Sequence, residues 1–419
     1  MQIKRNSQLV YNFISLGFVQ VINSALHLLV IPYVIVTIGT AGYGVIAIAQ
    51  VVMIYMATFV DFGFNQTATR TISINRGDAE KVSHIFFRVL FTKIFLCVIA
   101  FALLLVLVLI IPVFRSHLLL YLMAFVFVIG QSVLLNWFFQ GIEKMWIIVV
   151  TTLVGRILFV ILVFLFIKNS GDDFLFLFFM GIGNLFAGIT GIAIAFRLYK
   201  FKMSIPGMSE ISDELKEGWH FTVTNLSMNT CQFANILILR FFTNDLLVGY
   251  FSIAERIYFT AKQGLVIFSQ SIYPRVCLLV QQGKEQLAAF FKKIYIPFLF
   301  AVISGVILLI VFAQPVLYIF SGKEAVHSVF ILRMMCIVLV IVCLNIPATI
   351  TLLSMNQKKR YFKIYALGGI LNISANIILA NFFQTNGTIM AIFITEIFIT
   401  LGVIYENYKA GVPVNSKAV

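Results

Sequence analysis

Ile94-Phe-Leu-Cys-Val-Ile-Ala-Phe-Ala-Leu-Leu-Leu-Val-Leu-Val-Leu-Ile-Ile111 is a run of eighteen apolar residues without a charge, closed by Pro112. About 20 apolar residues in a helix cross the hydrocarbon core of a bilayer, so with its flanks the run reads as a spanning helix over 86–112. Working outward, similar runs lie between charged or Gly/Pro/Asn-rich breaks at 10–37, 43–66, 117–139, 147–167 and 174–197. A charged stretch at 198–218 follows, then runs at 219–242, 247–274, 294–314, 328–353, 361–382 and 387–408. The expectation is an all-α polytopic membrane protein of twelve transmembrane helices: an N-terminal six-helix bundle over 1–205 and a C-terminal one over 206–419.

Composition agrees. Of 419 residues 61% are hydrophobic and 11% charged, with a mean hydropathy of +1.03, whereas soluble domains carry about 25% charged residues. No stretch is polar enough for a soluble catalytic or nucleic-acid-binding domain, so the net charge of +14 is read through membrane topology, and no nucleic-acid partner is expected. Of the 30 Lys and Arg, 21 lie at or beside the N-terminus, the even-numbered connections and the C-terminus, against three (Arg115, Lys168, Lys323) in the odd-numbered ones. The positive-inside rule then places both termini in the cytoplasm. Trp137, Trp146 and Trp219 fall at expected cytoplasmic ends, where amphipathic rings sit in the interface. Lys4 and Arg5 precede an apolar stretch that runs past Pro32 without a small-residue cleavage site, so the first helix is expected to be retained. Cys97, Cys231, Cys277, Cys336 and Cys343 are scattered, with no C-x-x-C, and neither disulfides nor a metal or other cofactor is expected.

The two halves echo each other. Gly42-Tyr43 and Ala47 match Gly249-Tyr250 and Ala254, Arg70 matches Arg275, Gly77 matches Gly283, and Phe86-Phe87-Arg88 matches Phe290-Phe291-Lys292, all at a near-constant half-chain offset. Because each copy has an even number of spans, the repeat is parallel, a pseudo-twofold about the membrane normal.

Span 2 and its exit read Ala41-Gly-Tyr-Gly-Val-Ile-Ala-Ile-Ala49 and Asp61-Phe-Gly-Phe-Asn-Gln-Thr-Ala-Thr-Arg70, while span 8 reads Val248-Gly-Tyr-Phe-Ser-Ile-Ala-Glu-Arg256 and exits through Pro274-Arg275. These segments resemble the polysaccharide-exporter branch of the multidrug/oligosaccharidyl-lipid/polysaccharide (MOP) superfamily, which includes the O-antigen flippases. The resemblance implies two bundles around a central V-shaped cavity, as in MATE transporters. It also implies transfer of an undecaprenyl-diphosphate-linked oligosaccharide from the cytoplasmic to the periplasmic leaflet by alternating access. The motifs specify the branch and say nothing of the sugar.

Helical spacing marks the spans that border something wetter than lipid. Asn12, Gln20, Asn23 and His27 share one face of span 1, and Thr222, Asn225, Asn229 and Gln232 share the equivalent face of span 7. Interhelical hydrogen bonding is one reading; a stripe on both symmetry mates favours a cavity lining that meets the sugars. Span 2 adds Gln50, Thr58 and Asp61 on one face, and span 8 adds Ser252, Glu255, Lys262, Gln263 and Gln270, with Arg256 at the edge.

Charges at membrane depth cost about 2.5–3.5 kcal/mol each at a helix centre and persist where paired or hydrated. Lys93, Arg156, Arg240, Arg256, Lys262 and Arg333 stand against Asp61, Glu255 and Glu396. This basic excess suits a diphosphate better than a cationic drug. Arg156, Arg256 and Lys262 are the expected diphosphate ligands, and Asn23, His27, Asn225, Asn229 and Gln232 the expected sugar contacts. Glu255, which shares a face with Lys262, and then Asp61, are the candidates for coupling to H+ or Na+. Lys93, Arg240 and Arg333 lie near span ends and can snorkel, Asp61 can pair with Arg70, and Glu396 can neutralise a bundle charge or take protons. The glycines at 181, 183, 188 and 191 lie in an apolar helix and lack the strand and Lys-Ser/Thr context of a nucleotide loop, so they read as close helix packing.

Three functions compete: a lipid-linked oligosaccharide flippase, a multidrug cation antiporter on the same fold, and a membrane glycosyltransferase or O-antigen polymerase. The second calls for acids to dominate the cavity. The third calls for a large aqueous loop, and the odd-numbered connections are short; no catalytic set appears in the cytoplasmic loops either. A transporter is expected, not an enzyme, with the lipid-linked substrate, membrane lipids and polysaccharide polymerase or assembly proteins as partners.

Overall fold

The computed structural model describes residues 29–199, 201–321, 326–355 and 357–409, and every regular element among them is helical. Nine helical runs among the described residues are long and apolar enough to cross a membrane, and Leu29–Ile38 and Gln232–Phe242 are shorter apolar helices. The protein is a multi-pass membrane protein whose chain divides into two compact units, Met1–Thr230 and Cys231–Val419. Most of the first expected span, including Asn12, Gln20, Asn23 and His27, lies outside the described residues.

In the first unit α1 (Leu29–Ile38) ends at Gly39, and α2 (Thr40–Asp61) and α3 (Phe64–Asn75) follow. The sequence reading ran span 2 on to residue 66, but the helix breaks at Phe62 and Gly63, whose φ angles are 42° and 78°. The break admits α10 (Met208–Phe242), which closes the unit: a Cβ on Gly63 would sit 2.6 Å from Phe221 Cβ, and one on Gly218 would sit 2.3 Å from the Phe62 carbonyl oxygen. Either side chain would push the helices apart.

Next comes α4 (Ala79–Ile110), capped by Asp78, whose carboxylate accepts from the backbone N–H of Glu80 and Lys81, and stopped by Pro112, which holds Ile111 extended. The short α5 (Pro112–Arg115) leads into α6 (Leu118–Val133), α7 (Asn136–Gly141), α8 (Met145–Phe166) and α9 (Asp173–Leu198). The glycines of α9 serve close packing. Gly155 of α8 and Gly183 face each other so closely that a Cβ on either would meet the other's carbonyl oxygen at 2.3 or 2.5 Å, while a Cβ at Gly191 would make only ordinary contact.

The charged stretch expected as a connection is partly helical, because α10 begins at Met208. Glu210 accepts the Gly207 N–H at 3.0 Å, the reach-back half of a capping box that starts the helix early. Trp137 also departs from expectation. It is 1% exposed, packed against Phe86 and Phe138 rather than set in the interface, while Trp146 and Trp219 are exposed.

The second unit holds the rest of α10, then α11 (Asp245–Gln282), which continues through Pro274 past its expected end. After α12 (Lys284–Phe290), a π-helical turn at Phe291–Tyr295 leads into α13 (Ile296–Val311) and α14 (Ala313–Ser321). In α15 (Val326–Ser354) Pro347 lacks the N–H that would satisfy the Cys343 carbonyl, and the Tyr295 hydroxyl donates to that oxygen at 3.0 Å instead. The last helix, α16 (Lys358–Lys409), is broken at Gln384 (φ 51°). Its apolar run of 51 residues rises about 75 Å at 1.5 Å per residue, enough for the two crossings expected at 361–382 and 387–408. Ala348 and Leu352 of α15 pack with Ile364, Ile399 and Val403 from both parts of α16.

Candidate functional site

The intramembrane charges sort into sealed and open groups. In the first unit Lys93 is 3% exposed and its ammonium reaches Asp61 Oδ1 at 3.0 Å, while Asn65 donates to Asp61 Oδ2 at 3.0 Å. Lys93 therefore does not snorkel, and Asp61 pairs with Lys93 rather than with Arg70, which is exposed. Burial of the lysine explains the choice: an amine drawn into the bundle needs a carboxylate within reach, and α2 supplies one. Asn229, expected to meet sugar, donates to Thr58 at 2.6 Å, an interhelical hydrogen bond. Asn225 is half-buried and Gln232 exposed on the same helix. Arg156 is half-buried on α8, one residue beyond the Gly155 contact that fixes that helix against α9.

On the polar side of this unit α4 grips the connection to α10. Glu80, His84 and Arg88, at successive turns of one face, pair with Lys202, Glu210 and Glu214. Ser83 exchanges hydrogen bonds with the Lys202 backbone at 2.7 and 2.9 Å, and Phe201 stacks on Phe86 at 4.4 Å. Burial pushes the Glu214 carboxyl above its ordinary value, and the Arg88 guanidinium opposes that shift. Asp78, at the head of the same helix, is held below the ordinary carboxylate value chiefly by the Lys81 N–H.

In the second unit Lys262 of α11 meets Glu396 of α16 at 3.3 Å, with side chains 30% and 16% exposed. The ammonium lies 5.6 Å from the centre of the Tyr258 ring, one turn earlier, and Tyr365 stands near both charges. Glu255 shares the Lys262 face as expected, but Lys262 reaches across to Glu396 instead. Glu255 is 5% exposed, and among the described residues neither it nor half-buried Arg256 makes a salt bridge. Arg240 pairs with Asp245 at 2.6 Å at the α10–α11 turn instead of snorkelling, and exposed Arg333 donates to the Ile310 carbonyl at 3.2 Å.

A neutral network in this unit escaped the sequence reading. Asn376 donates to Asn235 at 2.9 Å, Asn372 to Thr395 at 3.3 Å and Asn345 to Thr400 at 3.5 Å. Asn372 and Asn376, one turn apart, would have been found by the spacing test applied to spans 1 and 7. Among the described residues no group of His, Cys, Asp or Glu is arranged to hold a metal, and Cys97, Cys277, Cys336 and Cys343 are free thiols.

The family profile described as polysaccharide biosynthesis protein matches residues 9–280. Two relatives match nearly end to end. One, from Escherichia coli (strain K12) and named "Putative O-antigen transporter", is 28% identical over 393 residues, 93% of this chain and 94% of its own length. Another of the same name, from Shigella dysenteriae, is 26% identical over 403 residues, 93% and 98% of the two chains. Among solved structures, an inward-facing multidrug resistance MATE family transporter of the MOP superfamily superposes with a TM-score of 0.70 at 16% identity, covering 94% of this chain and 96% of that one. The lipid II flippase MurJ in an inward closed conformation does so with a TM-score of 0.65 at 15% identity, covering 95% and 87%. The chain has the fold these transporters share.

Proposed function

The chain belongs to the polysaccharide biosynthesis protein family, and from that premise we propose that it is a flippase carrying an undecaprenyl-diphosphate-linked oligosaccharide, an O-antigen or related repeat unit, from the cytoplasmic to the periplasmic leaflet of the inner membrane. The observation that carries the reading is the near-full-length likeness to two proteins named as O-antigen transporters, on a fold shared with a lipid II flippase. The charges support it. Lys262 and Arg256 are partly exposed cations at membrane depth, and they and Arg156 are each assigned to the diphosphate. Half-buried Asn225, with Gln232 and the span-1 residues Asn23 and His27, meets the sugars, while the lipid tail stays in the bilayer.

The cycle is alternating access, the loaded site opening first to the cytoplasm and then to the periplasm. An anionic headgroup moving outward across an inside-negative membrane gains about 2.3 kcal/mol per charge per 100 mV, so the potential can drive the outward step. Glu255, buried beside Arg256 without an ion-pair partner among the described residues, is the residue assigned to H+ or Na+ coupling; Asp61, already neutralised by Lys93, is second to it. A multidrug resistance MATE family transporter shares the fold, but here two of the three intramembrane acids are held by lysines, which leaves little negative charge for a cationic drug.

Glycan display in a flippase-null bacterium tests the reading across several repeat-unit structures. The wild-type gene restores display for at least one of them. Arg156→Ala abolishes it at normal protein abundance, and Arg156→Lys keeps part of it, since charge survives the loss of the bidentate fork. Failure of the wild type on every repeat unit, with drug resistance gained instead, would favour the antiporter.

A further inference from the structure

The two described lysine–carboxylate pairs at membrane depth are built differently. Lys93–Asp61 is closed at its lysine: Lys93 is 3% exposed beside an Asp61 at 23%, the separation is 3.0 Å, and Asn65 occupies the second carboxylate oxygen. Lys262–Glu396 is open. The Lys262–Glu396 contact is 3.3 Å, longer than the 2.7–2.9 Å of a strong charge-assisted bond, and the Lys262 side chain keeps 30% of its surface accessible where Lys93 keeps 3%. An ammonium is a compact charge on a flexible stem, able to exchange one oxygen partner for another without a fixed fork geometry.

We propose, resting on the flippase reading above, that Glu396 is the resident counter-ion of Lys262 and is displaced by a phosphate oxygen when the lipid diphosphate binds. In the loaded state Lys262 holds the headgroup. After release Glu396 takes the ammonium back, so the empty carrier resets with a neutral pair rather than a bare cation, which is costly at a helix centre. The carboxylate competes with substrate and so weakens binding while easing release. Glu396 is thus a positioning residue that acts through Lys262.

The test is calorimetric titration of the full-length protein in nanodiscs with farnesyl diphosphate, and in parallel with inorganic diphosphate. Glu396→Gln binds the prenyl diphosphate at least about fivefold more tightly than wild type, the lower end of ordinary coupling between sites. Lys262→Gln binds it more weakly, and the Lys262→Gln/Glu396→Gln double variant no better than Lys262→Gln, because the gain requires the ammonium. Glu396→Asp, which draws the charge back by one methylene, shows a smaller gain and serves if the glutamine variant does not fold. An affinity of Glu396→Gln equal to or below wild type overturns the proposal, while weakened binding by Lys262→Gln in the same series leaves the anion-binding reading standing. Farnesyl diphosphate ignored by the wild type overturns both. Inorganic diphosphate bound as tightly as the prenyl ester marks a free-anion site and overturns the assignment to a lipid headgroup.

Discussion

Lys93 shows how one buried charge constrains its surroundings. An amine 3% exposed among apolar helices is tolerable only while Asp61 answers it, and removing one partner of a buried ion pair costs about 3–5 kcal/mol. Asp61→Asn is therefore expected to lower the unfolding free energy in detergent by an amount near that range, and Asp61→Asn/Lys93→Met to recover most of the loss. A loss below about 1 kcal/mol in the single variant, the figure for an exposed pair, would show that Lys93 is hydrated. The sequence placed both residues at membrane depth but not their partnership, because they are 32 positions apart on different helices. Lys262 and Glu396, 134 positions apart, were hidden for the same reason, and spacing within a single helix pointed to Glu255 instead.

At the scale of elements, apolar runs and glycines were legible and breaks were not. The glycines of α9 read as packing contacts, and Gly155 and Gly183 meet as that reading requires. The left-handed turn at Phe62 and Gly63 lies at the polar exit of span 2, between Asp61 and Asn65, where spacing alone does not say whether the helix stops, and the close approach of Gly218 and Phe221 explains it. The early start of α10 was masked by its charges, which belong to the ion pairs along α4. That row makes a pH prediction. Burial raises the Glu214 carboxyl, so the folded protein binds its proton more tightly than the unfolded chain. The group's contribution to stability is fully present below the ordinary value of 4.5 and is lost as pH rises through the raised folded value. The difference in melting temperature between wild type and Glu214→Gln should accordingly move in favour of the wild type on acidification through that window. A difference independent of pH would mean that the Arg88 pairing cancels burial, and one that moves towards Glu214→Gln on acidification would mean that it outweighs burial.

For the whole molecule, hydropathy and a half-chain repeat lead to the fold shared with MATE transporters and MurJ, since bilayer thickness leaves few ways to arrange apolar runs. Charge asymmetry adds a prediction of topology: reporter fusions at Lys144, Lys284 and Lys359 should report cytoplasm, and those at Lys323 and Asn386 should report periplasm. A periplasmic signal at Lys284 would break the parallel repeat. The site was less legible, because sequence spacing shows which residues share a helix face but not which face each other across helices. Flipping itself is the central claim. The purified protein, reconstituted into vesicles with a fluorescent undecaprenyl-diphosphate oligosaccharide, should expose nearly all of the label to a membrane-impermeant quencher, and the Arg156→Ala protein should leave the inner-leaflet fraction protected. If vesicles holding the wild-type protein, with a membrane potential imposed and a repeat unit it supports in cells, protect that fraction as fully as protein-free vesicles do, the protein is not a lipid-linked oligosaccharide flippase.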